Sequence, residues 1–120
     1  MKIENLFSLM KSEAGWIGVD LDGTLAHWDG DVSKVGKPIG PMVRRVRALL
    51  KQGKDVRIFT ARVADNPESA EAIQDWTEQH LGRRLPVTCK KDPKMKLLFD
   101  DRAVAVAHNT GHILGGVFGD

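Results

Sequence analysis

Two acidic residues one position apart, Asp20 and Asp22, run straight into Gly23 and Thr24, and this short stretch carries the clearest chemical potential in the sequence. Carboxylates held close together repel one another and lose hydration, so they persist only where a cation or hydrogen-bond donors compensate them. A Mg²⁺ ion meets that need, since it takes one or two carboxylates and fills its octahedron with waters and phosphate oxygens. Gly23 permits a tight turn that leaves backbone N–H groups facing an anion. Asp-x-Asp-Gly is also a common turn sequence, so the meaning of the pair depends on what the rest of the chain brings to it.

The elements that must position the pair can be read outward from it. Trp16-Ile17-Gly18-Val19 is an apolar run bounded by a turn signal, which reads as a short buried strand. In an open α/β sheet, ligands bind in the crevice beyond the carboxyl ends of the strands, and that is where the two carboxylates emerge. Asp55-Val56-Arg57-Ile58-Phe59-Thr60 alternates as a second strand and ends in Thr60-Ala61-Arg62. Residues 86–89 read as a third strand, followed by Lys90 and Lys91, and Lys96-Leu97-Leu98-Phe99 as a fourth, ending in Asp100-Asp101-Arg102. Acids, a hydroxyl and cations gathered at successive strand ends are the parts of a phosphoryl-transfer site: metal ligands, a nucleophile and donors for phosphate oxygens.

Between these strands the chain supplies connections. Residues 26–38 are polar and read as a loop. Pro41 opens a helix with an apolar stripe of Met42, Val43, Val46, Leu49 and Leu50, stopped by Gly53. A loop then leads to Asn66-Pro67-Glu68, which opens a second helix through Ile73, Trp76 and Leu81 to Gly82. Residues 103–107 read as a further short strand, Asn109-Thr110-Gly111 as a turn, and the tail through Gly119 as irregular or an edge strand. At the amino end, Ile3, Leu6, Phe7 and Met10 have helical spacing and read as a short docked helix, not a signal peptide. Strands alternating with helices imply an α/β fold: a three-layer Rossmann-like sandwich around a central parallel sheet.

The bulk properties are those of one domain. The 120 residues are 42% hydrophobic and 28% charged, with no apolar run approaching membrane-spanning length. A formal net charge of +2 suits an anionic substrate but does not by itself argue for nucleic-acid binding. The single cysteine, Cys89, excludes an internal disulfide and favours a reducing, cytoplasmic setting.

The ordered set Asp20-Leu21-Asp22-Gly23-Thr24, Thr60, a lysine and Asp100-Asp101 resembles the haloacid dehalogenase (HAD) superfamily over nearly the whole chain. The fuller pattern of Phe59-Thr60-Ala61-Arg62, Thr88-Cys89-Lys90-Lys91-Asp92, Phe99-Asp100-Asp101-Arg102-Ala103 and Asn109-Thr110-Gly111 is similar to small HAD-like proteins carried by tailed phages and prophages. This resemblance implies a single HAD-like hydrolase domain over residues 1–120 without a sizeable cap, since one loop and one helix separate the first two motifs. It implies a Mg²⁺-dependent phosphatase of a bacterial cell or phage-infected host. Asp20 would attack phosphorus to form an aspartyl-phosphate, and Asp22 would serve as general acid and then as base. Thr60, Ala61, Arg62 and Lys91 would bind the phosphate, with Lys90 and Lys94 close enough to compete for the lysine role. Mg²⁺ would be held by Asp20, the backbone carbonyl of Asp22, and Asp100 or Asp101, a choice left open because alternate strand residues face opposite ways.

Three residues stand at the margin of this assignment. Arg62 would either grip phosphate or pair with a nearby acid, Arg102 would anchor Asp100 or Asp101, and Trp28 would contact substrate from the loop after the catalytic strand. An uncapped site admits a large substrate such as a phosphorylated nucleic-acid end, and Phe59-Thr60-Ala61-Arg62 resembles the phosphatase half of polynucleotide kinase-phosphatases. Small phosphorylated molecules fit it as well, and a neighbour in a homo-oligomer would equally serve as a cap. The main rival reading is a non-catalytic HAD-fold binding protein in a phage or prophage process. A receiver-like phosphoacceptor switch is disfavoured by the motif order.

Overall fold

The computed structural model describes residues 15–115. The helix expected through Ile3, Leu6, Phe7 and Met10, and the tail from residue 116, lie outside the described residues. Within them the elements follow in the order β1 (Trp16–Asp20), α1 (Gly40–Lys51), β2 (Asp55–Phe59), α2 (Arg62–Asp65), α3 (Ser69–Leu81), β3 (Val87–Thr88) and β4 (Met95–Phe99). The four strands form one parallel sheet in the order β3-β2-β1-β4. The fold is therefore α/β, a Rossmann-like sandwich around a parallel sheet as the sequence predicts.

β1 is central and nearly all of it is buried, consistent with its continuous apolar run. Its pleat divides the molecule. Ile17 and Val19 sit beside Val56 and Ile58 of β2 in register, and these four pack with Val43, Val46 and Leu50 of α1 and Ile73, Trp76 and Leu81 of α3. Burying each such aliphatic side chain contributes about 1.5–3 kcal/mol. The alternate residues face the other way. There Trp16 lies under the Arg57 guanidinium, 4.8 Å from its ring centroid, and its indole N–H donates to Asp92 Oδ1 at 2.8 Å. Asp92 belongs to the loop that leads from β3 to β4, so on this face that loop is tied to the central strand.

Register brings the acids together. β1 and β4 pair Trp16 with Met95, then, after a bulge, Ile17 with Leu97 and Val19 with Phe99. The next residues along the two strands are Asp20 and Asp100, which leave the sheet side by side.

Several boundaries differ from expectation. The stretch after Thr60 holds the four-residue helix α2, and α3 begins at Ser69, three residues after the expected cap Asn66. Residues 103–107 form no strand; a single bridge joins Val106 to Ile113. The reason is local: Ala107 N–H donates to His112 O and Leu114 N–H to Ala105 O, around a turn in which Asn109 has φ 61°. The chain folds on itself there and does not extend the sheet.

The loop after β1 is better anchored than its composition implies. Leu21, Leu25 and Ala26 are fully buried, and Ala26 bridges Pro38. His27 N–H donates to Lys37 O and Ile39 N–H to Leu25 O, both at 2.8 Å, which ties the neck of a projecting loop. Gly36 is required at that neck, since a Cβ there would lie 2.0 Å from the His27 carbonyl oxygen.

Candidate active site

Beyond the carboxyl ends of β1, β2 and β4 lies a cavity of about 450 Å³. Asp20, Asp22 and Gly23 line it from β1 and its following turn, Phe59, Thr60, Ala61, Arg62 and Asp65 from β2 and α2, and Asp100, Asp101 and Arg102 from the end of β4. Trp28 and Val32 reach it from the projecting loop. Seven of the eight residues assigned from sequence thus meet in one place.

At its floor, Asp20, Asp100 and Asp101 each offer an oxygen, and the three lie within 4.8 Å of one another. Burial, the hydrogen bond to Asp101 and the negative charges of Asp100 and Asp101 push the Asp20 carboxyl up from 3.8 to about 7, against a lowering by Thr24. Asp101 moves the other way: its slight burial works against the change, but hydrogen bonds from Asp20 and Thr24 hold it below the usual range. Asp20 thus holds its proton more tightly and Asp101 less tightly than a free carboxyl, the response expected when like charges crowd together. Three hard oxygen donors of this kind fit a divalent ion such as Mg²⁺.

Thr24 organises the pair. Its hydroxyl accepts from the Asp101 N–H at 3.0 Å, and its own proton has Asp101 Oδ1 at 3.0 Å and Asp20 Oδ2 at 3.3 Å. The turn that places it closes when the N–H groups of Leu25 and Ala26 donate to Leu21 O at 3.0 and 2.9 Å. Gly23 in that turn has φ 87°, and a Cβ on it would lie 2.6 Å from Asp101 Oδ2. The glycine thus serves both the backbone conformation and the space that Asp101 occupies.

Asp22 is placed differently. It does not join the acidic cluster; both its oxygens accept from Arg62, Nε to Oδ2 and Nη2 to Oδ1, each at 2.8 Å. Of the two roles open to Arg62, pairing with an acid is the one observed. Arg62 also donates from Nη1 to Val32 O at 3.2 Å, and its guanidinium lies 5.5 Å from the Trp28 ring centroid.

Thr60 is 3% exposed, its N–H donates to Thr88 O, and its hydroxyl accepts from Arg62 N–H at 3.2 Å. That contact starts α2 and leaves the hydroxyl proton available to an acceptor in the cavity. The backbone N–H of Arg102 donates to Asp100 Oδ1 at 2.8 Å, a contact that does not involve the guanidinium expected to anchor an acid, and Arg102 lines the cavity.

Lys91 is the exception. It is exposed and does not line the cavity, and neither does Lys90 or Lys94. β3 is two residues long and, among the described residues, pairs with Ile58 and Phe59; Lys90 then donates its N–H to Thr88 Oγ1. The cations that line the cavity are Arg62 and Arg102. Thr24, Val32, Phe59 and Asp65 went unassigned in the sequence. Thr24 carried a usable signal, being a hydroxyl four residues after Asp20 in a turn; Val32 carried none.

No protein-family model matches the sequence, and no curated protein matches it either. A solved structure, that of a conserved protein coded by a locus from Bacteroides thetaiotaomicron, superposes with a TM-score of 0.58 at 24% identity, covering 76% of this chain and 78% of that one. The likeness is one of fold: a parallel α/β sheet with helices.

Proposed function

We propose that this chain is a Mg²⁺-dependent phosphomonoester hydrolase of the haloacid dehalogenase type, working through an aspartyl-phosphate on Asp20. The observation that carries the reading is the convergence of Asp20, Asp100 and Asp101 within 4.8 Å at the end of the central strand, in one cavity with Asp22 and Thr60. Asp20, Asp100 and Asp101 would hold the ion, with the Asp22 backbone carbonyl as a further oxygen. Once bound, the ion supplies positive charge that keeps Asp20 deprotonated and neutralises phosphate oxygens.

The residues of the chain then divide the work. A carboxylate oxygen of Asp20 attacks phosphorus, the bond to the ester oxygen breaks, and Asp22, which must enter this step protonated after parting from Arg62, gives that oxygen its proton. Water next attacks the phosphorus of the aspartyl-phosphate, its proton passes to Asp22, and the Asp20 carboxylate leaves. The Thr60 hydroxyl and the Arg102 guanidinium are the donors for phosphate oxygens. Asp22 acts only after Arg62 releases at least one of its oxygens, and an arriving phosphate is a natural competitor for that guanidinium. Cytoplasmic residence fits the single cysteine.

A second reading draws on the same ion pair. If Arg62 never yields Asp22, the chain is a non-catalytic binding protein on the same fold. Trapping separates the two: the wild-type protein, mixed with a phosphomonoester and Mg²⁺ and quenched in acid, should carry a hydroxylamine-labile phosphoryl group on the peptide containing Asp20, whereas a protein in which Arg62 never yields Asp22 forms no adduct and releases no phosphate. Phosphate release without any such adduct, and with Asp20→Asn as active as wild type, would remove the nucleophile assignment.

A further inference from the structure

The acidic cluster accounts for the floor of the cavity but not for its mouth. At the mouth Trp28 is 43% exposed and Val32 74% exposed, and both line the same cavity as Asp20. Apolar surface left open beside a polar reaction centre marks where the non-reacting part of a ligand rests.

Trp28 is not a loosely hung side chain. Its ring is held against the Arg62 guanidinium at 5.5 Å, and that guanidinium is itself fixed by two 2.8 Å bonds to Asp22 and one to the Val32 carbonyl. The neck hydrogen bonds of His27 and Ile39 anchor the loop on which it stands. An aromatic surface thus stands at the rim with a guanidinium against it, open to a planar group that stacks on it. Resting on the phosphatase reading above, we infer that Trp28 is a stacking platform for a nucleobase, so that the substrate is a phosphorylated nucleoside with its phosphate at Asp20 and its base on the indole.

Two features favour a nucleoside over a simple aryl phosphate. Arg62 is hydrogen-bonded to Asp22 and lies against the Trp28 ring, so a guanidinium links Asp22 to the indole, and a sugar supplies a spacer of that kind between phosphate and base. Asp65, three residues beyond Arg62 in α2, also lines the cavity and brings a carboxylate that accepts from sugar hydroxyls or an exocyclic amine.

Binding, not turnover, tests this. Adenosine 5′-monophosphate and ribose 5-phosphate, identical but for the base, are titrated calorimetrically with Mg²⁺ into the Asp20→Asn protein and into the same protein also carrying Trp28→Ala or Trp28→Phe. The nucleotide should bind more tightly than the sugar phosphate. Trp28→Ala should weaken nucleotide binding about 5- to 100-fold, the range for loss of one base–aromatic stack, and erase the preference, while Trp28→Phe should keep most of it. Equal binding of the two titrants, or a nucleotide affinity indifferent to Trp28→Ala, overturns the inference. A 5′-phosphorylated dinucleotide separates the sources: tighter binding than the mononucleotide assigns the site to nucleic-acid ends, weaker binding to free nucleotides. Hydrolysis by wild type with no base preference would leave the phosphatase standing and remove the platform; a Trp28-dependent preference with no hydrolysis would do the reverse.

Discussion

Both carboxylate oxygens of Asp22 are taken by the Arg62 guanidinium, at 2.8 Å each, with the pair largely shielded: Arg62 is 11% and Asp22 21% exposed in the side chain. Lysine cannot reproduce this planar two-point contact. Arg62→Lys should therefore lower kcat by about 10- to 100-fold, because Asp22 loses its orientation. Arg62→Ala should in addition cost about 1–3 kcal/mol of stability, as Asp22 is left part-buried without its partner. Chemical denaturation and steady-state kinetics on the two variants check both statements.

Removing the acid function without changing its shape isolates its chemical role. Asp22→Asn should reduce the rate by about 10²- to 10⁴-fold, the usual worth of one general acid–base group, while Mg²⁺ affinity stays within a few-fold because its side chain lies outside the acidic cluster. A large loss of metal affinity, measured by calorimetry, would mean that the Asp22 carboxylate belongs with the ligands.

Proton and metal compete for Asp20. Its carboxyl is raised from 3.8 to about 7, so the folded protein keeps a proton that the unfolded chain has already lost between those values. The stability Asp20 contributes is full below about pH 3.8 and is lost as pH rises through 7. Asp101, lowered, contributes in the opposite sense and offsets part of this. Mg²⁺ affinity should rise about tenfold per pH unit below pH 7 and level off above it, as one proton is released on binding. Flat affinity between about pH 5 and pH 7 would contradict the combination of a raised Asp20 carboxyl and a role for it as ligand.

Gly23 and Thr24 hold the cluster's geometry. Gly23→Ala places a methyl group against Asp101 Oδ2 at a φ that L-residues avoid, so Asp101 must turn away and Mg²⁺ affinity should fall about 10- to 100-fold. Thr24→Val keeps the shape but removes the acceptor for Asp101 N–H and should cost about 1–3 kcal/mol. Thermal melts with and without Mg²⁺ distinguish the two, since the first defect shows mainly in the metal-dependent shift.

The parts legible in the sequence were those written in short-range pattern. The apolar run 16–19, the alternation in 55–60 and the Pro41 and Gly53 bounds of α1 each stand close to their observed positions, because burial and backbone chemistry decide them locally. Tertiary geometry decided the rest. Lys91 follows a strand as predicted, but it lies three residues past the end of the two-residue β3, is exposed and does not line the cavity. Arg62 faced several acids in the sequence, and only the packing of α2 against the turn after β1 selects Asp22. Val32 reads as an ordinary loop residue and lines the cavity because the neck at Ala26 and Pro38 directs the loop there.

The most direct test is release of phosphate from phosphomonoesters by the wild-type protein and by Asp20→Asn, each with Mg²⁺ and with a chelator. Release by wild type that requires Mg²⁺ and vanishes in Asp20→Asn, with the variant's melting transition preserved, is the predicted result. Release by Asp20→Asn at the wild-type rate, or release indifferent to chelation, would contradict the assignment of Asp20 as nucleophile and metal ligand.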